Sequence, residues 1–191
     1  MDNNIYAAPA SDLETQTSKN PQSHFYIVSE KKFLVLFVAT LGIYSLYWFY
    51  KNWQFYRDST GDSVWPVPRA IFSIFFVHAL FRRVAEKLDS NQQENTWKHS
   101  DLASLIVGAM IIQRILDRLA MKEVGSPFTD VASIFMMFVM VPMFLRAQKM
   151  INLSCNDVDG ESNAKFTGGN IAWIVAGSLF WLLVFVGLFL S

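Results

Sequence analysis

Apolar residues along this chain come in blocks, with little strand-like alternation. Residues 33–50 carry no charge over eighteen positions. A helix drawn through them is apolar on every face, so it must be buried in protein or lipid. At about 1.5 Å per residue it nearly matches a hydrocarbon core of about 30 Å. Ser29 before E-K-K is a suitable N-cap with an acid in the first turn. A second block begins at V-W-P-V-P-R-A, where proline suits a first helical turn. Its uncharged part, 70–81, is short; counted from Trp65, with Arg69 snorkelling, it reaches the lower limit for a span. R-R-V-A-E-K-L-D continues it as an amphipathic helix that leaves the apolar layer. A third helix starts at Ser100 or Asp101 and is expected to stop at Gly125. A fourth is uncharged from Val131 to Leu145, with Pro142 as an expected kink. The fifth, 171–190, holds twenty uncharged residues.

These blocks predict an all-α integral membrane bundle of about five transmembrane helices, near 33–50, 65–81, 102–121, 131–150 and 171–190. If 65–81 does not cross, four remain. Residues 1–24 are polar and lack a basic-then-apolar leader, so they read as a disordered tail before a helical domain over 25–191.

Composition agrees with the blocks. Charged residues are 17% against about a quarter in soluble domains, and hydrophobic residues 52%. Net charge is zero, which gives no nucleic-acid signature. The lone Cys155 excludes an intramolecular disulfide. With five spans and the N-terminus inside, ten Lys and Arg residues fall in cytoplasmic segments and four outside. That bias places the N-terminus in the cytoplasm and the C-terminus in the periplasm. Four spans would put both termini on one side.

Candidate chemistry is sparse. Tyr44, Tyr47, Trp48, Tyr50 and Trp53 crowd one end of the first run and read as interfacial anchors, since their rings suit the headgroup level. Arg114, Asp117 and Arg118 lie at i, i+3 and i+4, so one helical face can hold the acid between two arginines. With His78, in the second run, they form a candidate intramembrane polar cluster, because charge within lipid is costly and often functional. The competing readings are an interfacial position for the triad and a simple interhelical hydrogen bond for His78. Gln148 and Asn152, one turn apart, are suited to hydrogen bonding across the bundle. Ala172, Ala176 and Gly177 offer a small-residue packing patch. C-N-D-V-D-G-E-S-N fails as a calcium loop, because acids are missing at its first and last positions. No phosphate loop, nucleophile elbow or zinc-protease motif is present. No catalytic, cofactor-binding or metal-ligating residue is therefore assigned.

Three stretches, F-Y-I-V-S-E-K-K-F-L-V-L-F, T-L-G-I-Y-S-L-Y-W-F-Y-K-N-W and V-W-P-V-P-R-A-I-F-S-I-F-F-V-H-A-L-F-R-R, resemble a family of small uncharacterised multi-pass inner-membrane proteins of Gram-negative bacteria. S-N-A-K-F-T-G-G-N-I-A-W extends the resemblance towards the C-terminus. It implies location and topology and no activity. The expected function is an accessory or interaction protein in contact with the lipid bilayer, binding another membrane protein, lipid or a second copy of itself. The alternatives are a transport or channel component using Arg114, Asp117 and His78, and a membrane enzyme acting on lipid.

Overall fold

The computed structural model describes residues 23–93 and 96–190, with side chains described to residue 187. The tail expected over 1–24 thus lies, to residue 22, outside the described residues. Among those described there are seven α-helices and no strand. They are α1 (Glu30–Ala39), α2 (Tyr44–Thr60), α3 (Pro66–Ile71), α4 (Ser73–Ser90), α5 (His99–Ala120), α6 (Phe128–Ser154) and α7 (Gly168–Leu190).

The first apolar run is broken where one continuous span was expected. Ser29 caps α1 by accepting the Lys32 N–H. Ten residues later α1 stops, after about 15 Å. Thr40 serves both helices: its hydroxyl donates to the Leu36 carbonyl at 2.8 Å and accepts the Tyr44 N–H at 2.9 Å. Leu41 and Gly42 between them take left-handed φ angles of 51° and 81°. Gly42 supplies that conformation at low cost, with Phe37 and Met137 close by. The chain then doubles back. Phe33, early in α1, sits beside Tyr44 and Trp48 of α2 at ring distances of 5.5 and 6.1 Å. The run 33–50 is therefore a helical hairpin.

The second expected span is also interrupted. α3 has six residues and ends at Phe72, whose ψ of 33° leaves helical geometry. α4 then carries the amphipathic continuation to Ser90, with Val77, Leu80, Phe81, Val84 and Leu88 buried. Arg69 of α3 and Arg83 of α4 both stand over rings of α2, Trp53 at 4.3 Å and Tyr56 at 5.6 Å.

Among the described residues two helices, α6 and Gly168–Gly187 of α7, are long and apolar enough to cross a membrane. α5 reaches 22 residues but carries Arg114, Asp117 and Arg118 in its second half. It ends at Ala120, before the expected stop. Gly125 lies in the following turn with φ of 78°. Pro142 sits inside a continuous α6, on an exposed position.

Buried residues of α5 are confined to Leu102–Ala109, and those of α6 to Met137–Ser154. The facing ends of these two helices thus project past the core. Ile111, Ile112, Ile115, Val131 and Phe135 are exposed along them. α7 lies against α1 at Gly177, where an added Cβ would come within 2.7 Å of the Ala39 carbonyl carbon. Trp181 of α7 donates its indole N–H to the Val38 carbonyl at 2.9 Å. Those two contacts join α7 to the C-terminal end of α1. Of the small-residue patch, Gly177 is buried and Ala172 is exposed.

Candidate functional site

Two polar assemblies stand out, and they differ in what their atoms are used for. The first is wholly internal. Residues 25–28 run as an extended strap beside α2 and α6, with Phe25 and Val28 buried. An extended segment beside helices has no ladder to receive its backbone groups, and unpaired buried ones are costly. Side chains replace the ladder. Asn152 donates to the Val28 carbonyl at 2.9 Å and accepts the Val28 N–H at 3.3 Å. Asn52 accepts the Tyr26 N–H at 3.2 Å, and Gln148 donates to the Tyr26 carbonyl at 3.2 Å. The Trp48 indole N–H donates to Gln148. Asn163 donates to the Ile27 carbonyl at 2.8 Å, and the buried Lys32 ammonium donates to Asn163 and to the Lys165 carbonyl. Gly160 closes the loop on the strap. A Cβ there would lie 2.6 Å from the Val28 backbone. This network fastens backbone to helices, and its polar groups are occupied by each other. Gln148 and Asn152 reach across the bundle as their spacing suggests.

The anchor assignment needs correction at three positions. Trp48 and Trp53 are fully buried in protein. Trp48 is enclosed by Phe33, Phe49 and Phe144 in edge-to-face contacts, and Trp53 lies between Tyr56 and Arg69. Side chains closed off by protein cannot lie among headgroups. Tyr44 is also buried, its hydroxyl 3.3 Å from that of Tyr26. Tyr50 is half-buried, and Tyr47 is the exposed member of the group.

The second assembly lies where α5 and α6 leave the core. Asp117 is half-buried. One carboxylate oxygen accepts from Ser133 at 2.6 Å and from Gln113 at 2.7 Å. Gln113 and Asp117, with Arg114 and Ser133, line one wall of a cavity of about 260 Å³. Its other walls include Phe37, Met110, Met137, Met140 and the turn at Gly42. The expected sandwich of Asp117 between arginines is absent. Among the described residues the ion pairs are Arg57–Asp58, Arg82–Glu86 and Arg83–Glu86. Arg114 and Arg118 are exposed. The reason is rotational: Asp117 turns towards α6, where Ser133 supplies a neutral donor.

His78 does not join this cluster. Its Nε2 is 3.1 Å from the Ser104 hydroxyl, on an exposed part of the α4–α5 face. The candidate cluster thus separates into Asp117 and Arg114 at one cavity, Arg118 outside it, and His78 elsewhere. The strap itself was missed by the sequence reading, although F-Y-I-V before Ser29 carries its signal: an apolar run too short for a helix and next to a cap. Chemically, the cavity presents a carboxylate already held by Gln113 and Ser133, and a guanidinium, against apolar walls, an arrangement suited to holding a small polar group. Compared with protein-family models, curated proteins and solved structures, the chain matches none.

Proposed function

We propose that this is a small multi-pass inner-membrane protein that acts by packing against lipid or another membrane protein, without a catalytic role. The observation that carries the reading is α7. Its membrane-length window is 6% buried, with Trp173, Leu179, Phe180, Leu182 and Leu183 exposed. An exposed apolar surface running the length of a helix exceeds what monomeric soluble proteins tolerate, and it marks a lipid or protein contact.

The finer topology in this proposal has three crossings, α5, α6 and α7, with the α1–α2 hairpin entering from the N-terminal side to meet the middle of α7. The charge distribution supports it. Ten of the sixteen Lys and Arg residues precede α5. Arg146, Lys149 and Lys165 lie at the α6–α7 end, and Arg114, Arg118 and Lys122 at the α5–α6 end. By the positive-inside tendency the N-terminal side is cytoplasmic and the C-terminal end of α7 periplasmic.

A photo-crosslinking residue at Leu179 or Leu183 tests this role. The expected product is an adduct to lipid or to one defined membrane protein, absent when the residue replaces the buried Phe33. Recovery of the intact chain in the soluble fraction without detergent would overturn the proposal. A transport component is the second reading, favoured by the cavity at Asp117, although His78 stands apart from it. Solute uptake by proteoliposomes that Asp117→Asn abolishes would select it.

A further inference from the structure

We propose that the outer face of α5 near its C-terminal end binds the phosphate headgroup of an anionic phospholipid. Arg114 and Arg118 lie one turn apart on α5, and Lys122, in the turn just past its end at Ala120, borders the same groove. Beside them Ile111, Ile115 and Leu119 repeat the same spacing, and Ile74 of α4 completes an open groove of about 490 Å³. Among the described residues no acid lines this groove. Asp117 lines the neighbouring cavity, which Arg114 also borders, and its carboxylate is held there by Gln113 and Ser133. Glu123 and Asp130 line a different cavity with Ala120 and Ser126. Among the described residues none of the three cations has an ion-pair partner.

Uncompensated cations beside an apolar wall fit one ligand chemistry: a phosphate joined to acyl chains. A free anion would leave the isoleucines uncovered. A zwitterionic headgroup would bring its own cation against the arginines. The groove lies at the α5–α6 end, where the apolar projection of both helices gives way to the charged turn, the level at which phosphates sit. The inference rests on the membrane reading above and specifies one lipid class and one face.

The test uses the full-length chain, purified in detergent and offered phosphatidylglycerol or phosphatidylcholine, with retained lipid counted by native mass spectrometry. Phosphatidylglycerol is expected to persist where phosphatidylcholine is stripped. Arg114→Gln/Arg118→Gln/Lys122→Gln should lower that retention at least about tenfold, since each basic group strengthens anionic-lipid attraction by about fivefold. Arg114→Lys/Arg118→Lys, which keeps the charges, should retain the lipid. So should Arg146→Gln/Lys149→Gln, exposed on α6 at the other end. Inorganic phosphate should not compete. If the triple variant fails to insert, Lys122→Gln alone, at the helix end, still reads a loss of about fivefold. Equal retention of both lipids, an undiminished triple variant, or an equal loss in the α6 control would overturn the proposal. A membrane-inserted chain indifferent to headgroup charge sinks this inference alone; a chain soluble without detergent sinks the membrane reading itself.

Discussion

Trp48 shows how much depends on which way one side chain points. As a headgroup anchor it would tolerate truncation. Enclosed by Phe33, Phe49 and Phe144, with its N–H given to Gln148, it is a core residue. Trp48→Ala should therefore cost about 3–5 kcal/mol. Trp48→Phe should cost less, because it keeps most of the ring packing and loses the indole donor. Denaturant unfolding in detergent distinguishes this from the mild effect an interfacial residue would give. Asp117 illustrates the converse. Without an arginine partner, Asp117→Asn keeps an acceptor for Gln113 and Ser133 and should change stability by no more than about 1 kcal/mol. Asp117→Leu removes the acceptor both share, leaving Gln113 its bond to Ser133 and the Ser133 hydroxyl proton without its acceptor, and should cost about 1–3 kcal/mol. A large loss from the Asn variant would mean that the charge itself is structurally required. In each case residue type and spacing were legible in the sequence, but the azimuth around the helix was not. A run apolar on all faces contains no information about which face meets protein.

At the scale of elements, the long apolar helices α6 and α7 follow directly from their composition, whereas 33–50 and 65–81 do not. An eighteen-residue uncharged run meets the length criterion whether or not it stays helical. The decisive signal was T-L-G: glycine with a left-handed φ, two residues after a threonine that satisfies both helix ends. The capped start at Ser29 and the amphipathic α4 were readable because caps and periodicity are local. The strap was not, since its backbone partners lie about 124 residues away on α6. The α1–α7 seam is the contact most sensitive to a single methyl. Gly177→Ala would drive a Cβ into the Ala39 backbone, which cannot move aside without shifting α7. The expected cost is about 1–3 kcal/mol, seen as increased proteolysis between α6 and α7. No change in protease sensitivity would mean that the seam is dispensable.

The strap also gives acid sensitivity a definite shape. Burial, and then the charge of Lys87, hold the His24 imidazole below its ordinary 6.5. The folded chain therefore refuses a proton that the unfolded chain accepts, and stability falls as pH drops below about 6.5 until His24 itself protonates. Asp157 acts in a lower window. Burial pushes its carboxyl up, but hydrogen bonds from Ser162, Glu161 and Gly160 outweigh that and hold it below 3.8. Its contribution is present above about pH 3.8 and is lost as pH falls through the folded value. His24→Gln should remove the upper window and leave the lower one. Unfolding midpoints measured across pH 7 to 3 would check this, and an unchanged upper slope would contradict it.

For the whole molecule, the account divides the chain into a packed part, built from the strap, α1–α4 and the adjoining halves of α5 and α6, and an apolar projection of α5, α6 and α7. Composition made the two membrane-length apolar helices readable, while the breaks within 33–50 and 65–81 are ones that composition does not register. The central claim is that α6 crosses the bilayer, with the α5–α6 turn outside and the α6–α7 loop inside. Cysteine labelling tests it most directly. The native Cys155 is replaced by Ser, and Val124→Cys or Asp159→Cys supplies one exposed thiol at either end of α6. A membrane-impermeant maleimide should label Val124→Cys in cells with a permeabilised outer membrane, and Asp159→Cys only after the inner membrane is broken. Labelling of both positions in intact spheroplasts, or of neither, would place the two ends of α6 on one side and contradict the account.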